Sequence, residues 1–196
     1  MGETVKDFVY SVVVALPILS GVAAYAQHQT FTVNPDASHV AFSLGAFGHH
    51  VNGTFNVKNG LINFDRKAQT ISGSVVVAAG SGDSGEKNRD KRMNADVLDV
   101  AHYADVSFVP KTYQGSIATI GDSTIQVSGI FTLHGSPHDL TVPMKIHMDG
   151  GALTATTHFK VPYVKWGLKD PSVFILKVAK DVDIDLTLSG IVTPAT

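Results

Sequence analysis

The sequence predicts an all-β protein, an elongated antiparallel barrel of about eight strands with one short helix, and three observations carry the prediction. Apolar and polar residues alternate with period two over runs of 8 to 10 residues, the signature of a half-buried strand rather than a helix. Turn-forming pairs such as Asn59-Gly60, Gly121-Asp122, Gly135-Ser136 and Asp149-Gly150-Gly151 separate the runs and supply the positive φ that hairpins need. At 196 residues, 44% apolar and only 16% charged, the chain suffices for one domain with a sizeable core.

Residues 1–26 read as targeting rather than fold. An uncharged run from Phe8 to Ala26 ends in Ala24-Tyr25-Ala26, small residues at the two positions a signal peptidase reads. Pro17 interrupts the run and weakens a plain membrane-spanning helix. An export signal, cleaved to leave Gln27 first, is therefore expected, with an uncleaved anchor as the alternative. Residues 27–196 then form the barrel domain, exported to the periplasm or secreted.

The strands are expected near residues 31–35, 39–47, 53–58, 61–65, 70–79 and 105–113, as a two-strand hairpin over 117–134, and onward to 190. In the later runs the apolar sets are Ile125, Val127, Phe131 and Leu133; Leu140, Val142, Met144, Ile146 and Met148; Leu153, Ala155, Phe159 and Val161; and Val178, Val182, Ile184, Leu186 and Leu188. Thr, Lys, His and Asp alternate with them. The helix is expected after Asn94, as a cap to a short turn carrying Val97, Leu98 and Ala101. Strands of ten residues are about 33 Å long, and eight of them, tilted, enclose a tall narrow interior. Alternation alone does not say which face is inside. An outer-membrane barrel would turn the aliphatic faces outward, but one Trp and five Tyr are too few for two aromatic girdles. A soluble barrel is preferred.

A net charge of −2 leaves no cationic stripe to displace counterions, which argues against nucleic acid. The absence of Cys removes disulfides, thiolate nucleophiles and zinc ribbons. Nine histidines raise a metal hypothesis, but His134 and His138 flank a turn and adjacent His49 and His50 point to opposite sides of a strand; no metal is expected. Ser84, Asp90 and His39 or His102 supply the residue types of a hydrolase triad without a nucleophile elbow, and no catalytic residue is expected.

The least ordinary stretch is SGDSGEKNRDKRM, residues 81–93, with seven charged side chains of mixed sign between Asp83 and Arg92. It reads as a connection at a barrel end. Asp83-Ser84-Gly85 shapes a turn whose Asp and Ser oxygens accept backbone N–H groups. Arg89 either recognises a ligand's head group or pairs with Asp90 to staple the loop.

With the strands in place, several motifs resemble the YceI-like proteins, exported lipocalin-like barrels that bind polyisoprenoid or other long-chain lipids. The likeness covers nearly all of residues 30–191. Asp36-Ala37-Ser38-His39-Val40-Ala41-Phe42 resembles the family's Asp-x-x-His-Ser entry into the first long strand, with Val40 in place of Ser. His49 resembles the His closing that strand. Ser81, Asp83-Ser84, Arg89-Asp90-Lys91-Arg92-Met93 and Tyr103-Ala104 follow the family's Ser, Asp-Thr, Arg-Asp-x-His-Leu and Tyr-Pro, with Arg92 replacing His and Ala104 replacing Pro. Thr132-Leu133-His134-Gly135 followed by Leu140-Thr141-Val142 resembles a Leu-Thr-x-Gly hairpin.

Together these readings give a non-enzymatic carrier or sequestering protein for a long apolar lipid: a polyisoprenoid, a quinone-like molecule, or a fatty acid or amide. Phe42, Phe55, Val57, Phe64, Val77, Phe108, Val127, Phe131, Leu133 and Phe159 are the expected apolar lining, and His39, His49 and Arg89 the polar head-group contacts. No cofactor is expected beyond such a lipid. Membrane contact is expected only transiently or through an uncleaved N-terminus, and a homodimer is left open. The alternative is a structural or stress-response interaction protein whose barrel is fully packed.

Overall fold

The computed structural model describes residues 28–46, 48–174 and 177–195. The export segment expected over residues 1–26 lies outside them. Ten strand segments follow in chain order: β1 (His28–Val33), β2 (His39–Ala46), β3 (His49–Phe55), β4 (Val57–Asp65), β5 (Thr70–Ala78), β6 (Asp105–Gln114), β7 (Gly121–Leu133), β8 (Ser136–Asp149), β9 (Ala152–Val161) and β10 (Val182–Pro194). Between β5 and β6 lies helix α1 (Lys87–Arg92), continued by a π turn, Met93–Val97.

The segments form one antiparallel sheet in the order β1-β4-β5-β6-β7-β8-β9-β10, and β10 pairs back with β1 to close it. The β2–β3 hairpin continues the wall beside the other half of β10. Val33 faces Gly190 and His39 faces Thr187. Three residues are therefore looped out between β1 and β2, as the 3-10 turn Pro35–Ala37. Ser38 holds this kink: its Oγ donates to Asn34 O at 2.7 Å and accepts from Ser189 N at 3.1 Å. β1 with β2 and β3 with β4 thus act as two interrupted long strands, so ten segments make an eight-stranded closed barrel.

The apolar faces point inward. Phe31, Val40, Phe42, Ile125, Val127, Val142, Ile146, Leu153 and Leu188 are buried, whereas Lys145, His147, His158 and Asp185 on the same strands are exposed. Outer-face pairs such as Lys160–Asp183 at 2.6 Å and His158–Asp185 at 2.9 Å span adjacent strands, as expected of a solvated surface. Among the described residues no helix is long and apolar enough to cross a membrane.

Three sequence expectations are corrected. Residues 117–134 are not a two-strand hairpin. β7 is a single 13-residue strand beginning at Gly121, and the preceding loop tucks Ile117 (8% exposed) into the barrel end. Gly129 does not break β7; it lets the Phe108 ring approach to where a Cβ would lie 2.8 Å away. Asn59-Gly60 is not a turn either. It lies in β4 beside a bulge between Val57 and Asn59, and Gly60 leaves room for Val33, 2.6 Å from where its Cβ would be.

The helix, third, starts earlier than expected, at Lys87. Glu86 is its cap, accepting from Asn88 N at 2.9 Å and Arg89 N at 2.7 Å. Asn94 falls inside the π turn instead. A wholly polar helix of six residues leaves no apolar period for sequence reasoning to find.

Candidate functional site

The barrel interior is an elongated apolar cavity of about 940 Å³. One end is closed by the β4–β5, β6–β7 and β8–β9 connections. There Tyr113 donates its phenol hydrogen to Asp65 O at 2.9 Å, and Asp65 Oδ1 accepts from Lys67 N at 2.8 Å and Ala68 N at 2.7 Å. The Ala68 N–H is the main reason its carboxyl is held below the usual carboxylate range. Arg66 lies over the Phe64 ring, 5.3 Å from its centre.

Two buried clusters flank the space. One, around Phe31, Phe64, Tyr113 and Ile146, runs from the closed end along the barrel wall. The other, around Leu133, Val161, Tyr163 and Leu168, lies below the opposite rim. A filled core would seal several large side chains completely; among the described residues none is sealed. The inward faces border open space.

Nine of the ten expected lining residues border this cavity: Phe42, Phe55, Phe64, Val77, Phe108, Val127, Phe131, Leu133 and Phe159. The tenth, Val57, is buried in the first of these clusters and does not reach the cavity surface. Phe42 packs on Phe55 at 5.3 Å between ring centres, and Phe131 on Phe159 at 6.1 Å.

The open end is polar. The 81–93 stretch lies across it and runs beside β3, where Asp83 and Thr54 exchange backbone hydrogen bonds of 2.9 and 3.0 Å. Gly85 N–H donates to Asp83 Oδ1 at 2.8 Å, the Asp half of the turn expected of Asp83-Ser84-Gly85, while the Ser84 oxygen takes a side-chain donor in place of the backbone N–H expected. Arg89 and Asp90 do not pair with each other among the described residues. Both grip Ser84: Arg89 Nε donates to its Oγ at 2.8 Å and Nη2 to its carbonyl at 2.6 Å, while Asp90 Oδ1 accepts from its N–H at 3.0 Å and from its hydroxyl. Two of five guanidinium donors are thereby used, and Arg89 borders the cavity with Arg92 and His49.

His39, by contrast, is exposed, in register between the inward-facing neighbours Ser38 and Val40. Alternation places it on the outer face, away from the cavity. His134 packs at a tilt against Tyr103, 4.2 Å between ring centres, and His138 stacks on Trp166 at 4.1 Å. No group of three potential ligands among the described residues could hold a metal.

Sequence reasoning missed the other half of the rim. The segment between β9 and β10, residues 162–181, contributes Tyr163, Leu168, Lys169, Asp170, Ser172 and Lys177 to the cavity border. Its available signal was a long break in alternation around Gly167 and Pro171, since connections of that length are uncommon and usually functional. It is tied down by Ala179 N donating to Gly45 O at 2.8 Å. Tyr163 adds a second tie, its phenol donating to Ala179 O at 2.7 Å.

Burial, with Asp170 and Asp181 adding to it, pushes the Tyr163 phenol up to about 12. The neutral phenol is the form that donates. Its contribution is whole below the ordinary tyrosine value near 10 and is lost as pH rises through about 12. The tyrosinate absorbance present in wild type and missing from Tyr163→Phe should therefore have its midpoint near 12; a midpoint near 10 would show that the phenol is not buried beside these carboxylates.

A family profile for the YceI-like domain matches residues 31–190, nearly the whole barrel. The chain belongs to the YceI-like family. Its relatives include UPF0312 proteins of Pseudomonas fluorescens, 29% identical over 162 residues, and of Pseudomonas putida, 27% identical over 164; each match covers 79% of this chain and 77% of the relative. Among solved structures this YceI-like barrel is similar to Burkholderia cenocepacia BcnA (TM-score 0.67, 20% identity, 81% of this chain and 99% of that one). It is also similar to a polyisoprenoid binding domain from Saccharophagus degradans implicated in plant cell wall breakdown (TM-score 0.65, 16% identity, 82% and 98%). The structural likenesses establish the YceI-like fold.

Proposed function

We propose that the protein binds one long-chain apolar lipid inside the barrel and carries or sequesters it outside the cytoplasm, without chemistry of its own. The observation that carries this reading is the continuous apolar cavity of about 940 Å³ with a polar rim at its one open end. At about 30 Å³ per small group, that volume of about 940 Å³ takes roughly 30 carbon-sized groups. Each buried CH₂ contributes about 0.8 kcal/mol, so a prenyl or acyl chain needs only dry, elongated space.

The three guanidinium donors of Arg89 not given to Ser84 are suited to a phosphate, carboxylate or carbonyl head at the rim, and His49 also borders the cavity. The binding named for the Saccharophagus degradans domain supports the same ligand class. A hydrolytic role for Ser84 is disfavoured by its partners: its hydroxyl lies between Arg89 and Asp90, and no histidine touches it among the described residues. The small-residue exit at Ala24-Tyr25-Ala26 supports export.

Organic extraction of freshly purified protein, with native mass spectrometry, is expected to recover about one long-chain lipid per chain. Recovery of none, together with no uptake of fluorescent prenyl or acyl probes, would sink the proposal.

A further inference from the structure

The segment between β9 and β10 carries a feature that lipid storage does not use. At its tip Phe174 is 96% exposed and Val173 60%. Scattered exposed apolar residues are ordinary, but a nearly bare phenylalanine beside a cavity mouth is not accounted for by packing. The same segment carries Lys165, Lys169, Lys177 and Lys180 against Asp170 and Asp181. It is therefore net positive in a chain of net charge −2. All four lysines are exposed, and none forms an ion pair among the described residues.

Asp170 is turned to local use: its Oδ1 accepts from Ser172 N at 2.9 Å, shaping the bend at Pro171. Across the mouth, the 83–96 segment is charge-balanced, with Asp83, Glu86, Asp90 and Asp96 against Lys87, Arg89, Lys91 and Arg92. Of these two segments at the mouth, only the one that bears the apolar tip carries a net positive charge. A contrast lies at the closed end, where Ile120 is also bare at 72% but residues 115–120 hold no charge at all.

We infer that this tip docks the barrel mouth onto an anionic lipid bilayer, Phe174 entering the interface and the surrounding lysines meeting acidic head groups. The combination is what interfacial anchoring requires: an aromatic that gains by entering the acyl boundary, with cations placed around it. The placement matters as much as the chemistry. Lys169, Val173 and Lys177 also border the cavity, so docking sets the opening against the bilayer. A lipid tail could then pass between membrane and barrel without crossing water, where every exposed methylene raises the barrier. This inference rests on the lipid-binding reading for its purpose, but the docking itself needs no bound lipid.

The absence of cysteine makes a site-specific test simple. The full chain carrying Phe174→Cys is labelled with a polarity-sensitive NBD fluorophore, and a second chain is labelled at Asp149→Cys, an exposed turn of the closed end. Each is mixed with vesicles of phosphatidylcholine and phosphatidylglycerol, and with vesicles of phosphatidylcholine alone, without added cargo. The expected result is a blue shift and severalfold brightening at position 174 with the anionic vesicles only, and none at position 149. Adding Lys165→Glu and Lys180→Glu should weaken the apparent partitioning at least tenfold, as should high salt.

No change at position 174 overturns the inference. So does an equal change at position 149, which would mean attachment through another part of the chain, or an equal response to neutral vesicles. A blue shift at 174 before vesicles are added, with a doubled mass in solution, would assign the tip to a second copy of the chain instead. An empty barrel would fail the extraction experiment and leave this readout unchanged, so the two proposals fail separately.

Discussion

Ala155→Trp is expected to empty the barrel of lipid while leaving it folded. Ala155 lies on β9 directly between Ile146 of β8 and Leu188 of β10, and it borders the cavity. Ala155 is 7% exposed within the core yet borders the cavity, so an indole there takes up cavity volume at only part of the usual cost of overfilling a core. It occupies volume a guest would use. A buried tryptophan covers about 200 Å², and denying a guest that area at about 25 cal/mol per Å² removes roughly 5 kcal/mol, between three and four orders of magnitude in Kd. The measurement is co-purified lipid per chain and prenyl-probe affinity, with circular dichroism as the fold control. A variant that retains its lipid at wild-type stoichiometry would show that the guest lies elsewhere.

Gly190→Ala should do the opposite, damaging the fold with no direct contact to a guest. Gly190 is where β10 hands over from β2 to β1, opposite Val33. A methyl group there would drive into the carbonyl oxygen of Thr32 and approach the Phe31 ring within 2.9 Å. Backbone oxygen cannot swing aside as a side chain can. The β1–β10 seam that closes the barrel would have to part, and with it the adjacent tie from Asn34 N to Ser189 O at 2.8 Å. A loss of about 3 kcal/mol is expected, which for a domain of this size lowers Tm by about 6–12 °C. Thermal unfolding followed by circular dichroism reads it; a change under about 2 °C, well below that range, would mean that the seam is looser than described.

Much of the barrel was legible residue by residue. The alternation in β8, β9 and β10 named inward residues that do line or back the cavity, because period two maps directly onto the two faces of a strand. The turn at Asp83-Ser84-Gly85 was legible too, since Asx chemistry is local. The misread glycines have one cause in common. Gly60, Gly121 and Gly129 look alike in sequence, yet Gly121 opens a strand at φ 79°, while Gly60 and Gly129 admit side chains from neighbouring strands. A glycine's role depends on what approaches it, and that partner is distant in sequence.

The candidate site divides the same way. Its apolar lining followed from alternation, with Val57 misplaced because a buried residue can face either packed neighbours or a void, and periodicity does not distinguish them. His39 went to the outer face because β2 starts one residue beyond the Ser38 kink tie. Arg89, expected either at a head group or paired with Asp90, borders the cavity and holds Ser84 rather than Asp90. Asp90 lies next to it in sequence, whereas the bend that brings Ser84 under both side chains is a product of the helix cap at Glu86.

The sequence by itself determined an antiparallel barrel with one apolar face per strand, the family it belongs to, and a polar loop at one end, because these are set by local periodicity, turn chemistry and motif spacing. Only the tertiary structure decided that the apolar faces point inward around open space, that the barrel closes through a kinked β1–β2 against β10, and that residues 162–181 complete the mouth. Each of these depends on contacts between segments far apart in the chain, and a void leaves no mark on the sequence that surrounds it.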